Sequence, residues 1–456
     1  MIDWTPTLGQ NGRPRYLLIA DAIAEDIREG VLKPGDRLPP QRKLAYELKV
    51  DFTTVSRAYM EAQSRGLIDS HVGRGTFVAD AKGGAAETDP LRDAQEDLSM
   101  NMPPEPDDPE LLQKMRDGMD YISANLISLL RYQSATGTEK DKMAASAWLS
   151  MRGLVPKLER LAVTPGAHAA MTAIFSLITK PGDTIVCERI TYPGLRAIAR
   201  RLRLELVGIE MDAQGVLPDA LEKAIKDHNP KALYLNPTLQ NPTTITLPTE
   251  RRLAISEIIG RHGLTLIEDD AYGFIPHKAP APIAVSAPDL TWHIGGLAKC
   301  IGAGLRLAYT VAPSGKCAFA LEQALRATNV MPSPLSMALA TQWIEDGTAD
   351  GIRRFIRSET VARQEIAAKA LDGLDYVSTP NAFNLWLKLP NGAGRADLMA
   401  RMAGRHIGII PADAFTVSEQ VDEHVRVCLG GSLTREALES GLSFMANTLH
   451  HEAFIG

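Results

Sequence analysis

Between Glu159 and Ile178 the chain reads ERLAVTPGAHAAMTAIFSLI: a short apolar run, a Pro-Gly break, then apolar residues at helical spacing. That order predicts a buried strand, a glycine turn and a helix. The runs DTIVCER, KALYLNP and LTLIEDD are short and apolar and end in polar residues, as strands buried on both faces do. Amphipathic stretches, DALEKAIKDH and TERRLAISEIIGRHG, lie between them. Alternation of this kind predicts an α/β unit, a mostly parallel sheet with helices on both faces. Functional groups of such sheets gather beyond the carboxyl ends of the strands. The NP and EDD that close two of these runs fall at such ends.

The first eighty residues follow a different pattern. YLLIADAIAEDIREG has helical apolar spacing and a glycine stop at Gly30. LKPGDRLPP reads as a turn, and PQRKLAYEL as a short second helix opening with proline. After a turn at KVDF, TTVSRAYMEAQSRG predicts a third helix with Thr53 as its cap. GLIDSHVGRGTFVAD supplies two short β runs around HVGRG. Helix, helix, helix and hairpin is the order of a winged helix-turn-helix. Residues 80–98, DAKGGAAETDPLRDAQEDL, show no apolar period and read as a linker. The expected organisation is therefore 1–79, a linker over 80–98, and a large domain over 99–456.

Composition changes this picture little. The chain has 456 residues, 45% hydrophobic and 23% charged, with a net charge of −6, so it is no general binder of polyanions. From Val31 to Asp80, eight lysines and arginines face six acids, a mild basic excess in an acidic chain. The four cysteines, Cys187, Cys300, Cys317 and Cys428, form no CxxC pair. That argues against a zinc site or a disulfide framework and fits a reducing cytosol. No secretory pattern opens the chain, and no apolar run is long enough to span a bilayer. A cytoplasmic protein away from membranes is expected.

The candidate chemistry centres on Lys299, in the glycine-rich apolar stretch HIGGLAKCIGAGLRLAY. Burial lowers a lysine's pKa and makes it a nucleophile toward an aldehyde, with which it forms a Schiff base. The common aldehyde cofactor, pyridoxal phosphate (PLP), needs further partners, and the chain offers each. In IEDDAYG, Asp269 suits the pyridine nitrogen and Tyr272 the phenolic oxygen; Asn241 of LQNPTT is a second donor to that oxygen. Tyr192 of RITYPG can stack on the ring. Gly166, Ala167 and His168 open a helix whose free amides suit a phosphate, with Arg306 as an added cation. Arg426 of HVRVCLGG can clamp a carboxylate bidentately. Singly, each has a plainer role: Asp269 a helix cap, Tyr192 a core aromatic, Arg426 a surface ion pair, Lys299 a snorkelling side chain. Together and in this order they point to one site.

Two resemblances follow. PGDRLPPQRKLAYELKV, TTVSRAYMEAQSRGLI and GRGTFV resemble the GntR-type DNA-binding domain. By that resemblance Arg42, Thr53, Thr54 and Arg57 meet double-stranded DNA from the second and third helices, and His71 and Arg74 from the wing. Phe52 stands where the family often has arginine, so the usual guanine contact gives way to a thymine-methyl contact or to inward packing. Residues 100–456 resemble fold-type I aminotransferases, PLP-dependent enzymes with a smaller C-terminal α+β subdomain. The spacings K-x6-R and D-x-x-Y carry much of that likeness. Gly296 and Ala298 replace the usual phosphate-binding serines, and Ala167 and His168 replace small hydroxyl and amide residues. The phosphate cup then leans on backbone amides and Arg306. Tyr132, in LLRYQSATG, matches a tyrosine that reaches the partner subunit's phosphate, which implies a homodimer with shared sites.

The two halves together resemble the MocR subfamily of transcription regulators. That resemblance implies a DNA-binding regulator whose PLP domain senses an amino acid or amine through aldimine exchange at Lys299, with Arg426 selecting an acid-bearing ligand. A working aminotransferase with a secondary head is the alternative, because the residues that transamination needs are all present.

Overall fold

The computed structural model describes residues 4–6, 14–28, 30–65, 67–71, 75–79, 99–418 and 421–453. The chain divides into two compact units, residues 1–95 and 96–456. The proposed linker over 80–98 lies outside the described residues.

The first unit packs three helices, α1 (Arg15–Arg28), α2 (Gln41–Glu47) and α3 (Phe52–Ser64), with a hairpin of β1 (Ile68–His71) and β2 (Gly75–Val78). Their apolar faces meet in one core around Ile19, Ile23, Leu44, Val55, Tyr59 and Val78. The buried Tyr59 hydroxyl is satisfied by the Pro39 carbonyl at 2.8 Å. Two local expectations need correction. Asp51, not Thr53, occupies the N-cap of α3, in extended backbone and without a side-chain capping bond. Thr53 falls inside the first turn because the Asp51 carbonyl already accepts from the Thr54 and Val55 amides. Pro40 caps α2 rather than opening it, and the helix starts at Gln41.

The second unit is built on a seven-stranded sheet ordered β3-β11-β10-β9-β8-β4-β5. Its strands are β3 (Leu161–Thr164), β4 (Thr184–Glu188), β5 (Glu205–Ile209), β8 (Ala232–Leu235), β9 (Thr265–Asp269), β10 (Thr291–Gly296) and β11 (Ala308–Val311). A separate small hairpin, β6 (Met211–Asp212) and β7 (Gly215–Val216), follows β5. Only β11 runs against its neighbours; β10, β9, β8, β4 and β5 are parallel. Side chains alternate across a strand, and they feed two cores. Ile185, Cys187, Tyr234 and Ile267 enter one, while Val186, Leu233, Leu235 and Leu266 enter the other. Helices cover both faces, which explains why these strands read as continuous apolar runs.

A second, antiparallel sheet, ordered β12-β13-β15-β14, lies toward the C-terminus. It comprises β12 (Tyr376–Val377), β13 (Asn384–Lys388), β14 (Ile409–Pro411) and β15 (His424–Cys428). It shares a core with the helix Arg435–Ala453. Among the described residues no helix is long and apolar enough to cross a membrane.

Candidate functional site

The carboxyl ends of β8, β9 and β10 open into a cavity of about 420 Å³. Ten of the residues singled out from the sequence line it: Gly166, Ala167, His168, Tyr192, Asn241, Asp269, Tyr272, Lys299, Arg306 and Arg426. Tyr132 does not. It is 86% exposed on the surface of this single chain.

Lys299 follows the end of β10, and its Nζ donates to the Asn101 carbonyl at 2.5 Å. Burial, then the Arg426 charge, lowers its pKa to about 8. A good fraction of the amine is thus neutral near physiological pH, the form that attacks a carbonyl. Asp269 is the last residue of β9. Its Oδ2 accepts from the Tyr234 hydroxyl at 2.8 Å, and its Oδ1 is buried without a partner. Burial pushes this carboxyl up to about 6. The Tyr272 hydroxyl accepts from Asn101 Nδ2 at 3.1 Å, and burial raises its pKa. Arg426, on β15, is 3% exposed. Its Nη1 donates to Asn241 Oδ1 at 3.1 Å and its Nη2 to the Ser99 carbonyl at 2.6 Å, while its Nε has no partner.

The Thr164–Gly166 turn opens the helix Ala167–Ile178. Gly166 sits at φ +89°, and a Cβ there would meet Arg306 Nη2 at 3.3 Å. Glycine therefore allows the guanidinium and the helix amides to share one anion-sized space. His168 is pushed below its ordinary value by partial burial and then by Arg306. Tyr192 caps the helix Pro193–Leu202, and burial raises its hydroxyl.

The residues present fit PLP. A buried acid has one free oxygen, a lysine is depressed by its surroundings, and a cationic cradle opens at a helix start. Among the described residues no cluster has the ligands for a metal ion. Several supporting residues were not legible in the sequence. Asn101 joins Lys299, Tyr272 and Asn384, yet it follows the linker, where no periodicity marks it. Asn236 donates to the Asp269 carbonyl at 2.6 Å and accepts from the Asn241 amide at 2.8 Å. Glu188, at the end of β4, accepts from the Asn236 amide and the Thr191 hydroxyl. Tyr234 and Asn236 carried one available signal, their i, i+2 spacing at a strand end.

In the first unit, Arg42 and Thr53 are exposed and Thr54 is half-buried. Phe52 is 47% exposed, with the Arg42 guanidinium 5.9 Å from its ring centre. Of the two expectations for Phe52, inward packing therefore fails. Arg57 stacks its guanidinium 4.4 Å from the Tyr16 ring of α1, which ties it to its own fold. His71 ends β1, paired with Gly75; its side chain and Arg74 lie outside the described residues.

Comparison with known proteins gives the same division. Residues 15–78 match the bacterial regulatory proteins of the gntR family, and residues 94–444 match aminotransferase class I and II. The uncharacterized HTH-type transcriptional regulator YdeF of Bacillus subtilis is 30% identical over 460 residues, 98% of this chain and 97% of the relative. The chain belongs to the MocR subfamily of gntR-type regulators. Another relative of this MocR-type chain is the vitamin B6 salvage pathway transcriptional repressor PtsJ of Salmonella typhimurium, 27% identical over 81% of this chain and 84% of that one. The HTH-type transcriptional regulator TauR of Rhodobacter capsulatus is 26% identical over 94% and 95%. Among solved structures, an archaeal alanine:glyoxylate aminotransferase superposes with a TM-score of 0.72 at 21% identity, over 77% of this chain and 90% of that chain. This likeness shows the fold-type I aminotransferase architecture of the large unit. The class I and II family is PLP-dependent, and the cavity of the MocR-type chain carries the groups that PLP requires.

Proposed function

We propose that this chain is a PLP-dependent transcription regulator whose large unit senses an amino acid or amine and whose gntR unit binds a double-stranded operator. The observation that carries the reading is the meeting of ten chemically apt residues in one cavity, on a chain that also has a gntR head. When bound, PLP supplies an aldehyde for primary amines and an electron-accepting ring. Lys299 provides the competing amine, Asp269 the anion for the ring nitrogen, and Tyr272 and Asn241 donors for the phenolic oxygen. Gly166, Ala167, His168 and Arg306 hold the phosphate, and Tyr192 covers the ring. Arg426 takes the ligand's carboxylate after giving up the Ser99 carbonyl. In the head, Arg42 on α2 and Phe52, Thr53 and Thr54 at the start of α3, the recognition helix, face DNA; Arg57 assists from its stack on Tyr16, and His71 and Arg74 belong to the wing. Names of relatives support this reading: two are called transcriptional regulators and one a vitamin B6 pathway repressor.

A homodimer with shared sites belongs to the same proposal. Met119, Tyr121, Leu126, Ile127, Leu130 and Tyr132 are all exposed along 119–132, and clustered exposed apolar side chains mark interaction sites. Tyr132 then serves the partner subunit's phosphate. A second reading, slow transamination, is favoured by one observation: Lys299, with a pKa lowered to about 8, can both take and return a proton. Visible spectra of the PLP-loaded protein against a panel of amino acids and amines test both. A persistent shifted band means sensing without turnover. Release of a keto acid with the pyridoxamine form means an aminotransferase. No spectral change with any compound overturns the sensor reading.

A further inference from the structure

Behind the acid that faces the cofactor stands a residue to which the family likeness gave no role. Tyr234, on β8, is fully buried, and its hydroxyl donates to Asp269 Oδ2 at 2.8 Å. The other oxygen, Oδ1, is buried and has no donor, and Asp269 lines the cavity. A buried carboxylate oxygen without a donor is costly. The arrangement is therefore incomplete by one N–H, and the cavity is where its ligand would supply it. We propose that Tyr234 is the positioning residue of Asp269, occupying one carboxylate oxygen so that the other is the sole acceptor for the ring N–H of PLP. The inference rests on the PLP reading above and adds how the acid is kept ready.

Tyr234 acts here only as a donor. Burial, then the nearby Asp269 and Glu188 charges, drives its pKa well above the ordinary tyrosine value, so it keeps its proton at every working pH. The groups facing Asp269 pull in both directions. Burial raises its pKa most, Asp270 adds to that, and Glu188 on β4 repels it. The Tyr234 bond, His293 on β10 and Lys299 lower it. A carboxylate that loses a donor becomes a stronger base. Without the Tyr234 hydroxyl, the proton between Asp269 Oδ1 and the ring nitrogen moves toward Oδ1. The ring then loses positive charge, and the ion pair that holds it weakens.

The test uses the full-length protein loaded with PLP carrying nitrogen-15 in its ring. The wild type is expected to show a protonated ring nitrogen. Tyr234→Phe should move the nitrogen signal toward the unprotonated position and weaken PLP binding about tenfold, the usual effect of losing one hydrogen bond to a charged group. In an Asp269→Asn background the same change should have no further effect on the signal or on affinity. Additive losses in the double variant would mean that Tyr234 merely supports the core. An unchanged signal with affinity within twofold would overturn the proposal outright. If Tyr234→Phe does not fold, 3-fluorotyrosine at position 234 keeps the ring and strengthens the donor; the pH at which the ring nitrogen gives up its proton must then rise, and an unmoved titration overturns the role. A wild type that binds no PLP would instead refute the cofactor reading itself.

Discussion

Arg42 on α2 and Arg426 in the cavity are both guanidinium groups that the proposed function offers to an anion, and they are held in opposite ways. Arg42 stands exposed, with the Phe52 ring 5.9 Å away. Arg426 is buried between Asn241, the Ser99 carbonyl and the Phe415 ring at 5.2 Å. The difference reflects what each partner brings. A duplex arrives with a dense row of phosphates and condensed counterions that binding releases, so its reader can stay hydrated until contact. A small molecule makes few contacts and cannot organise its receptor, so the receptor is organised beforehand. Electrostatics follow the same division. Lys299 and Asp269 have pKa values moved toward neutrality by burial, whereas Arg42, Phe52 and Thr53 are exposed.

Four perturbations sharpen this contrast. The largest effect belongs to Lys299→Ala. After borohydride reduction, mass spectrometry should find the cofactor's mass on the wild-type chain and none on the variant, while DNA affinity without ligand stays unchanged. Retained attachment would remove Lys299 from its role. Next comes pH. Since burial lowers the Lys299 pKa to about 8, the neutral amine grows as pH rises toward that value and levels off above it. The rate of covalent PLP attachment should rise roughly tenfold per unit below pH 8, as stopped-flow absorbance would show. A rate flat from pH 6.5 to 9 would contradict the depressed pKa. Third, Arg426→Ala should weaken carboxylate-bearing ligands by roughly 10–100-fold, the range for a lost charged hydrogen bond, and leave plain amines within about twofold. Equal losses in a calorimetric comparison would rule out a clamp. The smallest effect is that of Arg42→Ala. It should lower DNA affinity several-fold and reduce the salt slope by about one without altering the PLP spectrum. An unchanged slope would mean that Arg42 meets no phosphate.

The strands and helices of the large unit could be read because both sheet faces are buried, which leaves apolar runs punctuated by glycine and proline. Lys299 and Arg426 stood out because each is a charge in an apolar setting, and Asp269 because it closes an apolar run three residues before Tyr272. Asn101, Asn236 and Tyr234 did not, because their roles lie in hydrogen bonds between segments far apart in sequence, as in the Asn101–Asn384 contact. Thr53 was misplaced as a cap because any short polar residue before a helix looks suitable, and the choice of Asp51 depends on backbone conformation. The stack of Arg57 on Tyr16 could not be read because that ring lies on another helix.

The central claim is that occupancy of the Lys299 site governs the head. The most direct measurement is the DNA affinity of the full chain for an operator recovered by in vitro selection. It is taken with PLP alone and with each amino acid or amine that shifts the spectrum, in wild type and in Lys299→Ala. The account predicts at least a fivefold change in wild-type affinity on adding the ligand, and none in the variant. Wild-type affinity indifferent to every spectrally active ligand would contradict it and leave an aminotransferase with a DNA-binding head that its active site does not control.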